Sequence, residues 1–163
     1  MSSKIEANSS SDNGQTNVLT GLLTWDRILY NTPISSKKRL LEELAVLLSK
    51  SSIALNKDTV FRTLNERERL GSTGIGGGIA LPHGRLNGIS ECIAAVIRMK
   101  EPLNFDALDE QPIRLAIALL VPADASQQHL QILSGLAHLF GKTRRREIIL
   151  RAQDAASLLE ILA

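Results

Sequence analysis

The central stretch of the sequence reads Leu70-Gly-Ser-Thr-Gly-Ile-Gly-Gly-Gly-Ile-Ala-Leu-Pro-His-Gly-Arg-Leu86. Five glycines fall within residues 71–78, and this composition disfavours a stable helix or strand because each glycine loses extra conformational entropy on ordering. Glycines also let backbone N–H groups approach another group closely. His83 lies between Pro82, which is rigid, and Gly84, which is permissive. The stretch therefore predicts a loop around a deliberately placed histidine.

The spacing of these glycines excludes two nucleotide-binding motifs. The Walker motif requires Gly-Lys-Ser/Thr at the end of its loop, whereas Gly76 is followed by Gly77 and Gly78. The dinucleotide motif follows a strand and has a third glycine at its sixth position. Here Ile79 occupies that position after Gly74, and a helix is predicted before the loop. We therefore expect no nucleotide at this site.

Metal and serine-hydrolase sites also fit the sequence poorly. His83 and His129 could supply two metal ligands, but there is no HExxH motif and no evident third His or Cys ligand. Ser72 follows Gly71, but the Gly-x-Ser-x-Gly spacing of a nucleophile elbow is missing. We predict neither a metal nor a cofactor.

Length and composition limit the class of protein. The chain has 163 residues, which suits one domain, and 19 basic against 17 acidic side chains give a net charge of +2. This balance gives no electrostatic footprint for nucleic acid. Cys92 is the single cysteine, which excludes an internal disulfide framework. No apolar run approaches the roughly 20 residues of a membrane span, and the N-terminus lacks a signal-peptide core, so we predict a cytoplasmic protein without membrane insertion.

Hydrophobic periodicity predicts an α/β domain over residues 18–163, after a polar segment, residues 1–17, that we expect to be disordered. The apolar runs 92–97 and 113–121 are typical of strands covered on both faces by helices. Residues 28–30 are predicted as a further short strand. The predicted helices begin at Ser35 or Ser36, after Asp58 as N-cap, at Ser126 and near Asp154, and the second of them ends at a left-handed Gly71.

The third predicted helix runs to about Phe140. His129 falls in its first turn, and His138 faces the opposite side, so the two cannot converge on one small ligand. The basic cluster that follows, Lys142 and residues 144–146, is predicted as a solvated helix start. The predicted apolar face consists of Leu130, Leu133, Leu136, Ala137 and Phe140.

One residue of the second predicted helix departs from its pattern. Val60, Leu64 and Arg67 share a stripe at i, i+4 and i+7, so Arg67 stands where an apolar residue is expected. One interpretation is that Arg67 extends into solvent at the helix end or pairs with Glu66 or Glu68. The other is that its guanidinium points at whatever the following loop surrounds, since its fixed donors suit phosphate. The sequence leaves both open.

Histidine as the nucleophile is the chemistry that remains. A neutral imidazole nitrogen can attack a phosphoryl group in line, and the protein then mainly positions groups and supplies donors and positive charge. Glycine N–H groups, Arg67 and Arg85 would suit that task around His83. His129 would be a neutral donor rather than a cation, because a helix N-terminus disfavours the imidazolium.

Residues 70–86 closely resemble the active-site signature of the nitrogen-regulatory IIA proteins. These form a branch of the fructose/mannitol-type IIA family of the bacterial phosphoenolpyruvate:sugar phosphotransferase system. The likeness extends to residues 105–112 (Phe-Asp-Ala-Leu-Asp-Glu-Gln-Pro), to residues 118–124 and to His129-Leu130, and covers about residues 18–162. It implies a single domain with a mixed parallel and antiparallel β-sheet of about five strands, flanked by helices.

The resemblance also implies roles for individual residues. His83 would accept a phosphoryl group from an HPr-like phosphocarrier (NPr) as a tele-phosphohistidine. Arg67 would assist, and His129 would be the second active-site histidine. The phosphate-surrounding loop would consist of Ser72, Thr73, Gly74, Gly76, Gly77 and Gly78.

Three functions remain open at this point. In the nitrogen-regulatory branch, phosphorylation alters the affinity for partners such as potassium-uptake and sensor proteins. A sugar-specific IIA protein would instead pass the phosphoryl group to a separate IIB domain. A third interpretation is a binding module that keeps the fold without being phosphorylated. The presence of Arg67, His83 and His129 favours phosphoryl transfer, and the unbroken Leu-Gly-Ser-Thr-Gly-Ile-Gly sequence favours the regulatory branch.

Overall fold

The computed structural model describes residues 18–125 and 127–163, without the side chains of Gln128 and His129. The segment 1–17 and the predicted helix cap Ser126 lie outside the described residues. A 3-10 turn, Trp25–Arg27, leads into the first strand. The strands are β1 (Ile28–Thr32), β2 (Gly74–Gly76), β3 (Ile79–Ala80), β4 (His83–Leu86), β5 (Ile93–Leu103) and β6 (Ile113–Pro122). The helices are α1 (Lys37–Ser49), α2 (Lys57–Arg69), α3 (Gln127–Phe140), α4 (Thr143–Leu150) and α5 (Ala155–Leu162).

All six strands belong to one mixed sheet. Its order is β1-β5-β6-β3-β2, and β4 also pairs with β6. β1 is parallel to β5, β5 is antiparallel to β6, and β3 and β4 are both parallel to β6. The predicted α/β fold with a mixed sheet is confirmed. It has six strands rather than about five, because the glycine-containing stretch supplies three short strands of its own.

The sheet is covered on both faces. Apolar residues of α1 and α2 pack on one face, and those of α3, α4 and α5 pack on the other. The buried side chains of β6 alternate between the two layers, which explains its near-continuous apolar sequence. Leu115, Ile117, Leu119 and Val121 belong to the layer of α3–α5, and Ala116, Ala118 and Leu120 belong to the layer of α1 and α2.

The helix ends agree with the predictions in part. Ser36 caps α1, because its Oγ accepts the N–H of the third helical residue at 3.1 Å, and Asp154 caps α5 in the same way at 2.8 Å. The prediction of Asp58 as the cap of α2 is wrong: Asn56 caps the helix two residues earlier and accepts the Asp58 N–H at 2.8 Å. Gly71 has φ +157°, far from the left-handed helical value, so the predicted left-handed end is also wrong.

Helix α3 lies on the sheet through a stripe that differs from the predicted one. Leu136, Leu139 and Phe140 are buried. Leu130 and Ala137, predicted for the apolar face, are exposed. The prediction is wrong at these two positions because the fully buried side chains of α3 lie in its last turns, and Leu130 and Ala137 are on the side that the core does not cover.

The glycine-containing stretch does not form one loop. It contains β2, β3 and β4, because β6 offers its hydrogen-bonding edge to β3 and β4. The expectation that glycine density excludes strands is therefore wrong. Gly77 and Gly78 have φ +65° and +85° and form the two-residue turn of the β2–β3 hairpin, in which both residues need positive φ.

Cys92 precedes β5 as a buried free thiol, and burial raises its pKa. It fills space in the core. Within residues 18–125 and 127–163, no helix is long and apolar enough to cross a bilayer.

Candidate active site

His83 is the first residue of β4 and pairs with Leu119 on the central strand β6. Its side chain is half-buried and lines two adjoining cavities, which share Arg67, His83 and Leu133. The exposed Leu130 borders the first cavity and Ala137 the second. The side of α3 that does not face the sheet therefore faces His83.

The histidine ring is oriented by a short local contact. Nδ1 of His83 lies 2.6 Å from the carbonyl oxygen of Leu81. A carbonyl can only accept a hydrogen bond, so Nδ1 carries the proton and Nε2 keeps its lone pair. The arrangement favours the tautomer in which Nε2 is able to act as a nucleophile.

The electrostatic surroundings keep this ring neutral. Burial lowers the pKa of His83 below its ordinary value, and the positive charge of Arg67 acts in the same direction. The Leu81 carbonyl and the negative charge of Glu68 oppose this shift without cancelling it. The neutral form therefore dominates at pH 7, which is the form that a nucleophile needs.

Arg67 lies in the last turn of α2, beyond the buried Val60 and Leu64. Its Nη1 donates to the carbonyl of Gly71 at 3.0 Å. Within the part of the chain that the structure describes, no carboxylate lies at ion-pair distance from Arg67, so the predicted alternative of a pair with Glu66 or Glu68 is wrong. The guanidinium charge is available to a ligand beside His83.

Close contact between α2 and β4 brings the backbones that carry Arg67 and His83 together. A Cβ added at Gly84 would lie 2.6 Å from Thr63 Cγ2 and 3.2 Å from the Thr63 carbonyl oxygen. The missing side chain lets the helix that carries Arg67 lie directly against the strand that carries His83.

Ser72 and Thr73 form a wall of the second cavity. The structure thus brings these two predicted residues to His83. Their neighbouring N–H groups are used inside the protein, however: the Thr73 N–H donates to the Glu68 carboxylate at 3.0 Å, and the Gly74 N–H donates to Ser72 Oγ at 3.1 Å. The hydroxyls of Ser72 and Thr73 are used inside the protein as well, since both donate to other protein groups.

The other glycines of the stretch lie elsewhere. The carbonyl of Gly78 accepts the N–H of Leu115 at 3.1 Å, whereas His83 pairs with Leu119. Four residues of strand separate the two positions, about 13 Å. Gly76, Gly77 and Gly78 were predicted to surround the phosphoryl group, and the structure corrects this because the hairpin turn extends away from His83.

The hairpin turn has its own partners. The Gly77 N–H donates to Asp109 Oδ2 at 3.0 Å. A Cβ added at Gly77 would lie 2.2 Å from Arg146 Nε, so this side chain covers the turn. Arg146 also donates to the carbonyl of Phe140 at 2.7 Å. The prediction of a simply solvated basic cluster is therefore wrong for Arg146.

Comparison with known proteins identifies the family. The sequence profile described as "Phosphoenolpyruvate-dependent sugar phosphotransferase system, EIIA 2" matches residues 21–163. The chain belongs to this family. The nitrogen regulatory protein of Pseudomonas aeruginosa is 41% identical over 144 residues, which cover 88% of this chain and 94% of that protein. The one from Klebsiella oxytoca is 43% identical over 129 residues, 78% of each chain.

Solved structures agree with this assignment to the EIIA 2 family. The crystal structure of nitrogen regulatory protein IIA-Ntr from Neisseria meningitidis matches with a TM-score of 0.84 and 40% identity, over 90% of this chain and 100% of that one. IIA mannitol from Escherichia coli shares the fold, with a TM-score of 0.67 and 21% identity over 86% of this chain and 99% of that one. The resemblance found in the sequence is confirmed.

Two further residues of this EIIA 2 protein were singled out from the sequence. His129 lies in α3, but its side chain is outside the described residues, so its role stays a prediction. Arg85 lies two residues after His83 on β4 and borders the first cavity. His138 is exposed.

Sequence reasoning missed Glu68. Its side chain is 3% exposed and forms an ion pair with Lys37 at 2.9 Å. The signal was present: Val60, Leu64 and Glu68 follow the i, i+4, i+8 spacing of a buried stripe, and all three are buried.

Among the residues that the structure describes, no group of three or more His, Cys, Asp and Glu side chains could hold a metal ion. The predicted absence of a metal and of a cofactor stays a prediction.

Proposed function

We propose that this EIIA 2 protein is a phosphohistidine-carrying regulator that accepts a phosphoryl group on Nε2 of His83 from an HPr-like phosphocarrier. The observation that carries the proposal is the contact between His83 Nδ1 and the Leu81 carbonyl. It leaves Nε2, the tele nitrogen, unprotonated beside a cationic Arg67.

The transfer step follows from this geometry. The Nε2 lone pair attacks phosphorus, a nitrogen–phosphorus bond forms, and the bond from phosphorus to the donor breaks with its electron pair leaving on the donor. The His83 ring becomes positively charged, and the Leu81 carbonyl stabilises its Nδ1–H. Arg67 leaves or shares the Gly71 carbonyl and offers its donors to the phosphoryl oxygens, where negative charge is spread in the transition state.

Other groups complete the site in this proposal. Ser72 and Thr73 bound the space for the phosphoryl group, and His129, in the first turn of α3, donates to it as a neutral imidazole. Leu130 and Ala137 form an apolar border on which the carrier protein can rest.

The regulatory role is supported by the relatives, which are named nitrogen regulatory proteins at 41% and 43% identity. Phosphorylation adds about 1.5 to 2 negative charges at one place. On a chain of net charge +2, this changes the local field and hence the affinity for partners. We propose cytoplasmic partners of the kinds expected from the sequence, potassium-uptake and sensor proteins, and neither nucleic acid nor a membrane.

A second candidate is a sugar-specific IIA protein. It is favoured by a relative from Haloferax volcanii named "PTS system fructose-specific EIIA component", 34% identical over 131 residues. Such a protein would deliver the phosphoryl group to a separate IIB domain.

The test is incubation with labelled phosphoenolpyruvate, Enzyme I and a phosphocarrier. The wild type should gain a label that is stable in base and lost in acid, and His83→Ala should gain none. Equal labelling of His83→Ala would refute the assignment, and an unlabelled wild type would favour a non-phosphorylated binding module. Rapid transfer from the labelled protein to a sugar IIB domain would favour the second candidate.

A further inference from the structure

A continuous series of hydrogen bonds joins the start of α1 to the active-site ring. Lys37 Nζ lies 2.9 Å from Glu68 Oε1, and Glu68 accepts the Thr73 N–H at 3.0 Å. The Thr73 carbonyl accepts the Leu81 N–H at 2.9 Å, and the Leu81 carbonyl faces His83 Nδ1 at 2.6 Å. The series links four separate segments to the nucleophile.

The carboxylate of Glu68 is the centre of this series. It is almost fully buried and accepts the Thr73 N–H with both oxygens, at 3.0 and 3.3 Å, as well as the Thr73 hydroxyl at 2.5 Å. A buried carboxylate is costly unless it is paired and hydrogen-bonded. Lys37 and Thr73 together satisfy that requirement.

Lys37 is itself held in place. Its ammonium group donates to the Phe105 carbonyl at 3.1 Å and lies 4.4 Å from the centre of the Phe105 ring. The same carbonyl accepts Ser72 Oγ at 3.1 Å. Both residues of the cavity wall, Ser72 and Thr73, are thus fixed to the group formed by Lys37, Glu68 and Phe105.

We propose that Glu68, paired with Lys37, is a positioning residue that fixes the tautomer and orientation of the His83 ring through Thr73 and Leu81. Glu68 does not touch the phosphoryl group. It holds the Thr73 backbone, which holds Leu81, whose carbonyl selects the Nδ1–H form of the ring. Only the kinetic consequence of this inference rests on the proposed function, since the tautomer exists without any phosphoryl donor.

The experiment compares Glu68→Gln and Thr73→Val with two controls. Glu68→Gln removes the charge at equal size, and Thr73→Val removes the hydroxyl at nearly equal shape. Thr73→Ser keeps the hydroxyl. Glu43→Gln makes the same carboxylate-to-amide change in the surface pair of Glu43 with Arg39, 2.6 Å long, away from the site.

The first measurement is ¹⁵N NMR of the histidine rings at neutral pH, assigned with His83→Ala. The wild type, Thr73→Ser and Glu43→Gln should show the Nδ1–H form of His83. Glu68→Gln and Thr73→Val should shift the ring toward the Nε2–H form. The second measurement is labelling by phosphoramidate, whose phosphorus–nitrogen bond breaks with release of ammonia, and it should slow about tenfold or more in the two test variants.

The outcomes separate the positioning role of Glu68 from the proposed function of the protein. An unchanged tautomer and labelling rate in both test variants, with only a lower melting temperature, would overturn the positioning role and leave Glu68 as a structural residue. If Glu68→Gln does not fold, the pair Thr73→Val and Thr73→Ser decides, because only the loss of the hydroxyl should move the ring. If the wild type takes no label while Glu68→Gln and Thr73→Val change the tautomer of His83, the proposed function is contradicted and the positioning role is supported.

Discussion

The two ends of the β2–β3 hairpin, its open end and its turn, differ in what their backbone groups contact. At one end, Thr73 and Leu81 form hydrogen bonds that lead to the His83 ring. At the other end, the Gly77 N–H binds Asp109 and the Arg146 side chain covers the turn. The end with most of the glycines is the end without the proposed nucleophile.

This difference shows what the glycines do. At Gly77, glycine is required by a positive φ and by the close approach of Arg146. Around His83, the environment is built by residues with side chains. A dense run of glycines therefore marks a tightly packed turn in this protein, and the proposed chemistry lies at the other end of the hairpin, beside His83.

The largest expected effect concerns the His83 end. Arg67→Ala should reduce the rate of phosphorylation about a hundredfold, because it removes the positive charge that faces the transferring group. The free energy of unfolding should change little, since the hydrogen bond that Arg67 makes is the one to the Gly71 carbonyl at the protein surface. Labelling rates and thermal melts measure both.

Arg67→Lys is the matched control for that variant. It should recover part of the rate by restoring charge without the guanidinium fork. A full wild-type rate in Arg67→Ala would contradict the proposed role of Arg67. It would also contradict the functional difference between the two ends of the hairpin.

The next effect concerns the turn. Gly77→Ala should lower the free energy of unfolding by about 2 kcal/mol, because alanine is strained at φ +65° and its Cβ meets Arg146. Denaturant titration measures it. The labelling rate relative to folded protein should stay at the wild-type value. A large loss of rate with unchanged stability would contradict the separation of the two ends.

Arg146→Ala provides the control for the turn. Combined with Gly77→Ala, it should relieve the contact and leave only the cost of the backbone conformation. The double variant should therefore be less destabilised than the sum of the single changes predicts.

The smallest effect is a pH dependence. Burial and Arg67 lower the pKa of His83 in the folded protein, so between that pKa and about 6.5 the unfolded chain binds more protons. The free energy of unfolding should therefore rise with pH through this window and fall as the pH drops through it. His83→Gln should lose this contribution in pH-dependent melts, and the same slope in both proteins would contradict it.

Much of the fold could be predicted from the sequence, for reasons visible in particular residues. The apolar runs of β5 and β6 have one physical cause, burial on both faces, and the capping residue Ser36 acts locally. The exposure of Leu130 and Ala137 could not be predicted, because periodicity shows that a helix has an apolar side but not which part of it meets the sheet. The β2–β3 hairpin depends on the edge of β6, more than 30 residues away in the chain.

The site divides in the same way. His83 and Arg67 could be identified from the sequence because each is unusual in its own segment. His83 is a histidine next to Pro82, and Arg67 is a cation on an apolar stripe. Glu68 was missed because the buried stripe of Val60 and Leu64 was extended to position 67 rather than to position 68. The contact between His83 and Leu81 depends on ring orientation, which sequence does not express.

Gly84 has a consequence for how far the site is organised before a ligand arrives. Since no side chain separates β4 from α2, the spacing between the strand that carries His83 and the helix that carries Arg67 is fixed by the direct contact of the two elements. The backbones that carry these two residues are therefore brought together when the chain folds, and not at the moment of reaction. The proposed transfer then requires only side-chain motion, in which Arg67 turns from the Gly71 carbonyl toward the phosphoryl group.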